Sequence, residues 1–212
     1  AALTSDTLGQ SSVAIGHQAL FSQNFTSATN TYNTAVGKNA GLAVTTGVNN
    51  TFVGGLVGDA NTTASNNTAL GYASLGANTT GAYNVAVGAN ALDANTTGGT
   101  NVGVGYGAIG ADTLGHASVA VGHGTLTLQN FTSTTLVYNT AVGYQAGLNV
   151  TTGVQNTFVG GLAGDAITTG NSNTSVGFQS SNSNTTGRDN LFLGDSAGYY
   201  NTTGSGNVVV GS

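Results

Sequence analysis

Few side chains in this sequence could perform acid–base, nucleophilic or metal chemistry. Among 212 residues there are three histidines, seven aspartates, no glutamate and no cysteine. A zinc site draws about four ligands from His, Cys and carboxylate groups. His17 and His123 sit at the same point of a repeated pattern, six repeats apart, and His116 lies seven residues before His123 with no further ligand type beside it. No metal is expected. Asp59 and Asp165 follow Gly58 and Gly164, where an aspartate caps backbone amides at a turn, whereas calcium needs about six to eight oxygens. No Ser-His-Asp or paired-acid arrangement clusters. Gly54-Gly55 and Gly160-Gly161 lack the helix that a phosphate loop feeds. The chain reads as neither an enzyme nor a cofactor carrier.

What positions these residues is a repeat. Gly37, Gly54, Gly71, Gly88, Gly105 and Gly122 fall 17 residues apart, as do Gly143, Gly160, Gly177, Gly194 and Gly211. With Gly16, twelve glycines each close a pentapeptide like Asn-Thr-Ala-Val-Gly. The intervals Gly16–Gly37 and Gly122–Gly143 are 21 residues, so the pattern recurs every 106 and divides the chain into residues 1–106 and 107–212. Gln23-Asn24-Phe25-Thr26-Ser27, for example, returns as Gln129-Asn130-Phe131-Thr132-Ser133. A fixed short period marks a solenoid or array. Glycine and β-branched residues recur too often for helix. The sequence predicts an all-β fold, a parallel β-solenoid (β-roll or β-helix) of twelve 17-residue coils with two lengthened to 21. At about 4.8 Å per rung this gives a rod roughly 60 Å long.

Composition narrows the function classes. Two basic residues, Lys38 and Arg188, and a net charge of -5 leave no nucleic-acid footprint. No apolar run approaches a membrane span. The periodic Val, Leu and Ile argue against disorder, and glycine is too sparse for collagen.

Within a coil, Thr68-Ala69-Leu70 reads as an extended segment. Its outer positions are expected to form the inner core, giving a column of Val36, Val53, Leu70, Val87, Val104, Val121, Val142, Val159, Val176, Leu193 and Val210. The middle position carries Ala, Phe, Ser or Val, so the strand is apolar on both faces. Phe52, Phe158, Phe192 and Val209 on that second face are candidates for contact with another chain. So are Phe21, Phe25, Tyr32, Phe131 and Tyr138 of the lengthened coils, unless these rings fold back over the coil edge. A second column of small residues, from Ala19 and Ala40 to Ala197, suggests a tight interior. The Asn before each strand can bond its own backbone or the next Asn up the stack. Sequons at Asn24, Asn61, Asn78, Asn95, Asn130, Asn184 and Asn201 are expected on outward corners, open to glycosylation.

Ser12-Val13-Ala14-Ile15-Gly16-His17-Gln18-Ala19 and Ser118-Val119-Ala120-Val121-Gly122-His123 resemble the head repeats of trimeric autotransporter adhesins. Asn139-Thr140-Ala141-Val142-Gly143-Tyr144-Gln145-Ala146-Gly147 is similar to repeats of phage tail fibres and large bacterial surface proteins. The resemblance covers the whole chain through a short motif. It implies a β-roll, with three chains side by side around an axis and a role at a surface. The adhesin heads commonly have shorter coils, and no neck or heptad stalk is present here.

The ends are in phase as well: a second copy placed after Ser212 would continue the beat without a gap, and nothing reads as a polar cap. Either the chain stacks head to tail on itself or it is an excerpt of a longer array. The leading expectation is a structural subunit of an extracellular filament, at the cell surface or secreted, growing through open solenoid ends. The alternative is a head or shaft segment of a trimeric adhesin or phage tail fibre, binding a host surface or glycan. An ice-binding solenoid is a minor third, because its Thr-Thr pairs point to opposite faces.

Overall fold

A computed structural model describes all residues, 1–212. It is all-β and contains no helix. Each coil contributes one three-residue strand: Val13–Ile15, Thr34–Val36, Thr51–Val53, Thr68–Leu70, Val85–Val87, Val102–Val104, Val119–Val121, Thr140–Val142, Thr157–Val159, Thr174–Val176, Leu191–Leu193 and Val208–Val210. These form a single 12-stranded parallel sheet in strict chain order. Residues 17 apart are rung partners, as in Val85↔Val102. The 21-residue intervals keep the register, pairing Val13 with Thr34 and Val119 with Thr140. Their extra residues form small two-stranded ribbons, Gly9–Gln10 with Thr29–Asn30 and Gly115–His116 with Thr135–Leu136.

The motif glycine turns the chain out of each strand. Gly88 has φ 128, and a Cβ there would lie 2.5 Å from the carbonyl oxygen of Gly105 in the next coil. Both the dihedral and the rung spacing therefore require glycine. After it the chain turns again through left-handed residues, many of them not glycine: Ala73, Leu75 and Tyr83 within one coil, Ile109 in another. Such residues cost about 1–2 kcal/mol each in isolation. They hold because backbone bonds to the coils above and below fix them from both sides.

The strand faces are the reverse of the expectation from sequence. The middle residue points inward: Ala35, Phe52, Ala69, Ala86, Ala120, Ala141, Phe158 and Phe192 have no exposed surface. The column Val36, Val53, Leu70, Val87, Val104, Val121, Val142, Val159, Val176, Leu193, Val210 points outward and is partly or largely exposed. The reason is volume. A coil with one three-residue strand encloses a narrow lumen, and the second small-residue column (Ala19, Ala40, Val57, Ser74, Ala91, Ala108 and their successors) is buried there too. A Val on every rung would overfill it.

The lumen is filled by exchange of bulk between two positions. Where the strand centre is Ala or Gly, the residue six later is often large and buried: Ala69 with Leu75, Ala86 with Leu92, Gly103 with Ile109, Ala120 with Leu126. Where the centre is Phe, that residue is glycine. A Cβ on Gly58 would lie 2.6 Å from the Phe52 ring, and one on Gly147, in the neighbouring coil, 2.8 Å from Phe158. Each ring thus occupies space vacated in its own and the adjacent coil, which keeps the core close-packed.

Candidate functional site

Two features stand out from this regular column: a buried polar seam, and the two end faces. The seam begins with the Asn before each strand. The Asn50 backbone N–H donates to Asn33 Oδ1 at 2.9 Å, and its side-chain amide donates to the Ala64 carbonyl at 2.9 Å. Asn67, Asn84 and Asn101 repeat the backbone link, at 2.9–3.0 Å. Every rung donates towards the N-terminus, so the ladder has a direction.

A second ladder runs inside the opposite corner. Asn78 Nδ2 donates to Asn61 Oδ1 at 2.8 Å and Asn95 Nδ2 to Asn78 Oδ1 at 2.9 Å. The next residues of this column are Asp112 and Gln129. Gln129 Nε2 donates to Asp112 Oδ2 at 2.6 Å and to Ser118 Oγ at 3.1 Å, and Asn139 Nδ2 donates to Gln129 Oε1 at 2.9 Å. Gln129 therefore joins the second ladder of the first block to the first ladder of the second block. The Gly115 and Phe131 amides donate to Asp112 Oδ1. Burial pushes the Asp112 carboxyl above the ordinary carboxylate range, against these hydrogen bonds, which lower it. Asp6, Gln23, Ser12 and Asn33 repeat the cluster in the first coil. The sequence offered a signal, Asp112 and Gln129 in a column otherwise rich in Asn, but the column was read as an outward turn.

At the end faces the backbone is open. The amides of Ser11, Ser12, Gly16 and Gln18 have no partner, nor do those of Gly198, Thr202 and Val208. Their counterparts 106 residues away are all bonded across the middle of the rod. Ala117 donates to the Gly99 carbonyl at 3.2 Å, Gly122 to Val104 at 2.7 Å, Gly124 to Tyr106 at 2.9 Å, and Ser118 to Asn101 Oδ1 at 3.0 Å. From below, Leu92, Thr96 and Val102 donate to Ala108, Thr113 and Ser118 at 2.9–3.0 Å. The last coil also opens a hollow of about 660 Å³ lined by Ala197, Gly198, Tyr199, Tyr200, Asn201 and Val209. At the equivalent internal level Ala108, Ile109 and Ala120 close the lumen and are fully buried; their counterparts at the other end are Ala2, Leu3 and Ala14.

The contact candidates divide. Phe52, Phe158 and Phe192 are interior, and Phe25 and Phe131 fold back and are buried, so none of these five rings reaches a partner. Phe21, Tyr32 and Tyr138 are exposed, and Val209 lies at the end hollow. The sequons at Asn61, Asn78, Asn95 and Asn184 are also corrected: these side chains are fully buried, three of them in the ladder just described. Asn24 and Asn130 are exposed. The Thr-Thr corners direct one hydroxyl column to the next coil's carbonyl, as Thr79 Oγ1 to Thr96 at 3.1 Å. On the outer surface Tyr106, His123 and Tyr144 stack at 5.3 and 5.5 Å beside the outward Val column. No three His, Asp, Glu or Cys side chains come together.

No protein family, characterised protein or solved structure matches the chain. Its reading rests on the geometry.

Proposed function

We propose that these 212 residues form a structural unit of an extracellular filament whose coils continue from one copy into the next. One observation carries this: every open amide named at the two end faces has a counterpart bonded across the internal junction of the same molecule. That junction is a template for the intermolecular one. By it, Gly16 of one copy donates to Val210 of the copy before, and Ser12 donates to Asn207 Oδ1. Leu3 with Ala2 and Ala14 enters the hollow beside Val209. Parallel strands allow only head-to-tail addition, so growth makes an open filament rather than a closed ring. The resemblance to surface-protein repeats supports an extracellular setting.

Electron microscopy of the purified chain tests this. Uniform unbranched fibres are expected, and Val209→Asp, which places a charge in the hollow, should leave separate rods. Rods of about 60 Å at every concentration of the unaltered chain refute it.

A second reading, the head or shaft of a trimeric adhesin or tail fibre, is favoured by the outward face. Its two columns contain only Val, Ile, Leu and Thr, with Ile15, Leu70 and Leu193 among the exposed members. An uncharged stripe along the whole rod is larger than a typical monomer leaves open. Sedimentation equilibrium decides: a trimer that Val142→Asp dissolves supports lateral packing, and a monomer or end-linked series supports the filament.

A further inference from the structure

The second ladder contains a mismatch. Asn61, Asn78 and Asn95 each pass an amide hydrogen down the column, so each Oδ1 awaits a donor from the coil above. Above Asn95 that donor is missing. Its Oδ1 is buried and unpartnered, and the residue stacked over it is Asp112, which as a carboxylate has no hydrogen to give. Asp112 already accepts from Gly115, Phe131 and Gln129, and all three donors lie on its own coil or the coil above. A proton on Asp112 would repair the column. The acid O–H would donate to Asn95 Oδ1, and one directed chain would run from Asn139 through Gln129, Asp112, Asn95 and Asn78 to Asn61.

The same arrangement arises wherever two copies meet. Asp6 takes the place of Asp112, Gln23 that of Gln129, and Asn201 of the preceding copy that of Asn95. We infer that each end-to-end joint takes up one proton from solvent, held by the Asp6 carboxyl of one copy and donated to the Asn201 Oδ1 of the next. This rests on the filament reading. The Asp6 carboxylate gains the proton, one O–H bond forms, and no other bond changes. On a free end Asp6 is only partly buried, while Asp112 under a full coil is 1% exposed; stacking moves Asp6 from the first setting to the second. Burial of Asp112 pushes its carboxyl upward in the rod, as the internal copy of the joint requires.

No ionisable group faces either carboxyl. Around Asp112 stand Asn95 below, Gly115 on its own coil, and Gln129 and Phe131 above; around Asp6, Gly9 and Gln23. The ionisable groups nearest the joint are at its rim: His17 and the Ala1 amine on one copy; Arg188, Asp195, Tyr199, Tyr200 and the Ser212 carboxyl on the other.

The test uses the full chain. Sedimentation from pH 8 to pH 5 should show the end-to-end association constant rising by up to about tenfold per pH unit, the limit for one linked proton. Asp6→Asn, which supplies an N–H at that rung, should associate tightly and lose this slope. His17→Gln should keep it, which separates the rim histidine from Asp6. A pH-stat should record one proton per joint. Infrared spectroscopy of single rods should show a protonated carboxyl that Asp112→Asn removes. Fibres with a flat pH response and no proton uptake overturn the inference and leave the filament standing. Chains that never associate, although Asp112 is protonated in the rod, overturn both at the joint. An ionised Asp112 near neutral pH overturns the inference at its template.

Discussion

Along Thr157–Val159, Phe158 has no exposed surface while Val159 keeps 38% of its own. The two are adjacent in a three-residue strand, both apolar, and they belong to different environments. Phe158 touches the space left by Gly147 and Gly164 and has no freedom to change. Val159 lines an open face whose neighbours are other Val and Thr side chains. The contrast shows what stabilises the rod: a thin lumen matched in volume coil by coil, and a polar seam in which each amide has a fixed direction. The outer columns are left to whatever covers them.

The contrast breaks most readily from inside. Phe158→Ala removes a ring that fills parts of two coils, where collapse is prevented by the rungs above and below. A loss of about 3–5 kcal/mol is expected in urea unfolding, and a cost under 1 kcal/mol would mean that the lumen repacks. Asn67→Ala should come next, at about 2–3 kcal/mol, because it strands the Asn84 N–H and the Gly81 carbonyl in the interior. Hydrogen exchange should place the new opening at those coils.

Acid should sharpen the comparison in an unusual direction. Burial raises the carboxyls of Asp59, Asp93, Asp112 and Asp165, in each case against backbone hydrogen bonds that act to lower them. A raised acid binds more protons folded than unfolded, so its effect on stability is full below the ordinary value near 3.8 and fades as pH rises through the folded value. The urea midpoint should therefore be higher near pH 4 than at pH 7. Most proteins lose stability on that path. A lower midpoint at pH 4 would show that these carboxylates are stabilised as anions.

The two blocks also differ at the same depth. In the first, Ala69 and Leu75 fill a coil; 106 residues on stand Ser175 and Ser181, whose buried hydroxyls have no partner. Ser175→Ala should stabilise by about 1 kcal/mol, since it removes an unsatisfied group without altering the packing. An unchanged midpoint would mean that water reaches that hydroxyl.

The period made the architecture readable, because 17-residue spacing fixes which residues share a rung whatever their chemistry. The Asn ladder was readable for the same reason, as Asn33, Asn50 and Asn67 recur before every strand. Orientation was not, because both alternating sets of the strand are apolar and Ala is as compatible with a surface as with a core. A finer signal did exist: Phe52, Phe158 and Phe192 are each followed six residues later by glycine, and Ala69, Ala86 and Ala120 by leucine. Such exchange occurs only between positions that share one space. Asp112 was hidden differently. Its importance comes from the Asn95 oxygen beneath it, a relation across coils that neither residue announces alone.

The smallest effect discriminates most between the two readings of function. Val→Thr keeps shape and exchanges a methyl for a hydroxyl, so its cost reports burial almost alone. Val44 is fully buried in the lumen, and Val44→Thr should cost about 1–3 kcal/mol by leaving a hydroxyl without a partner. Val159→Thr, on the outer column, should stay within about 0.5 kcal/mol in a single rod. The outer columns already mix Thr and Val, as Thr157 beside Val159 illustrates. If chains pack side by side, Val159 becomes a core residue of the assembly, and the same substitution should weaken association while leaving the dilute rod unchanged. If chains join only at their ends, Val159→Thr fibres should be indistinguishable from the unaltered ones, and lateral burial of this column is then excluded.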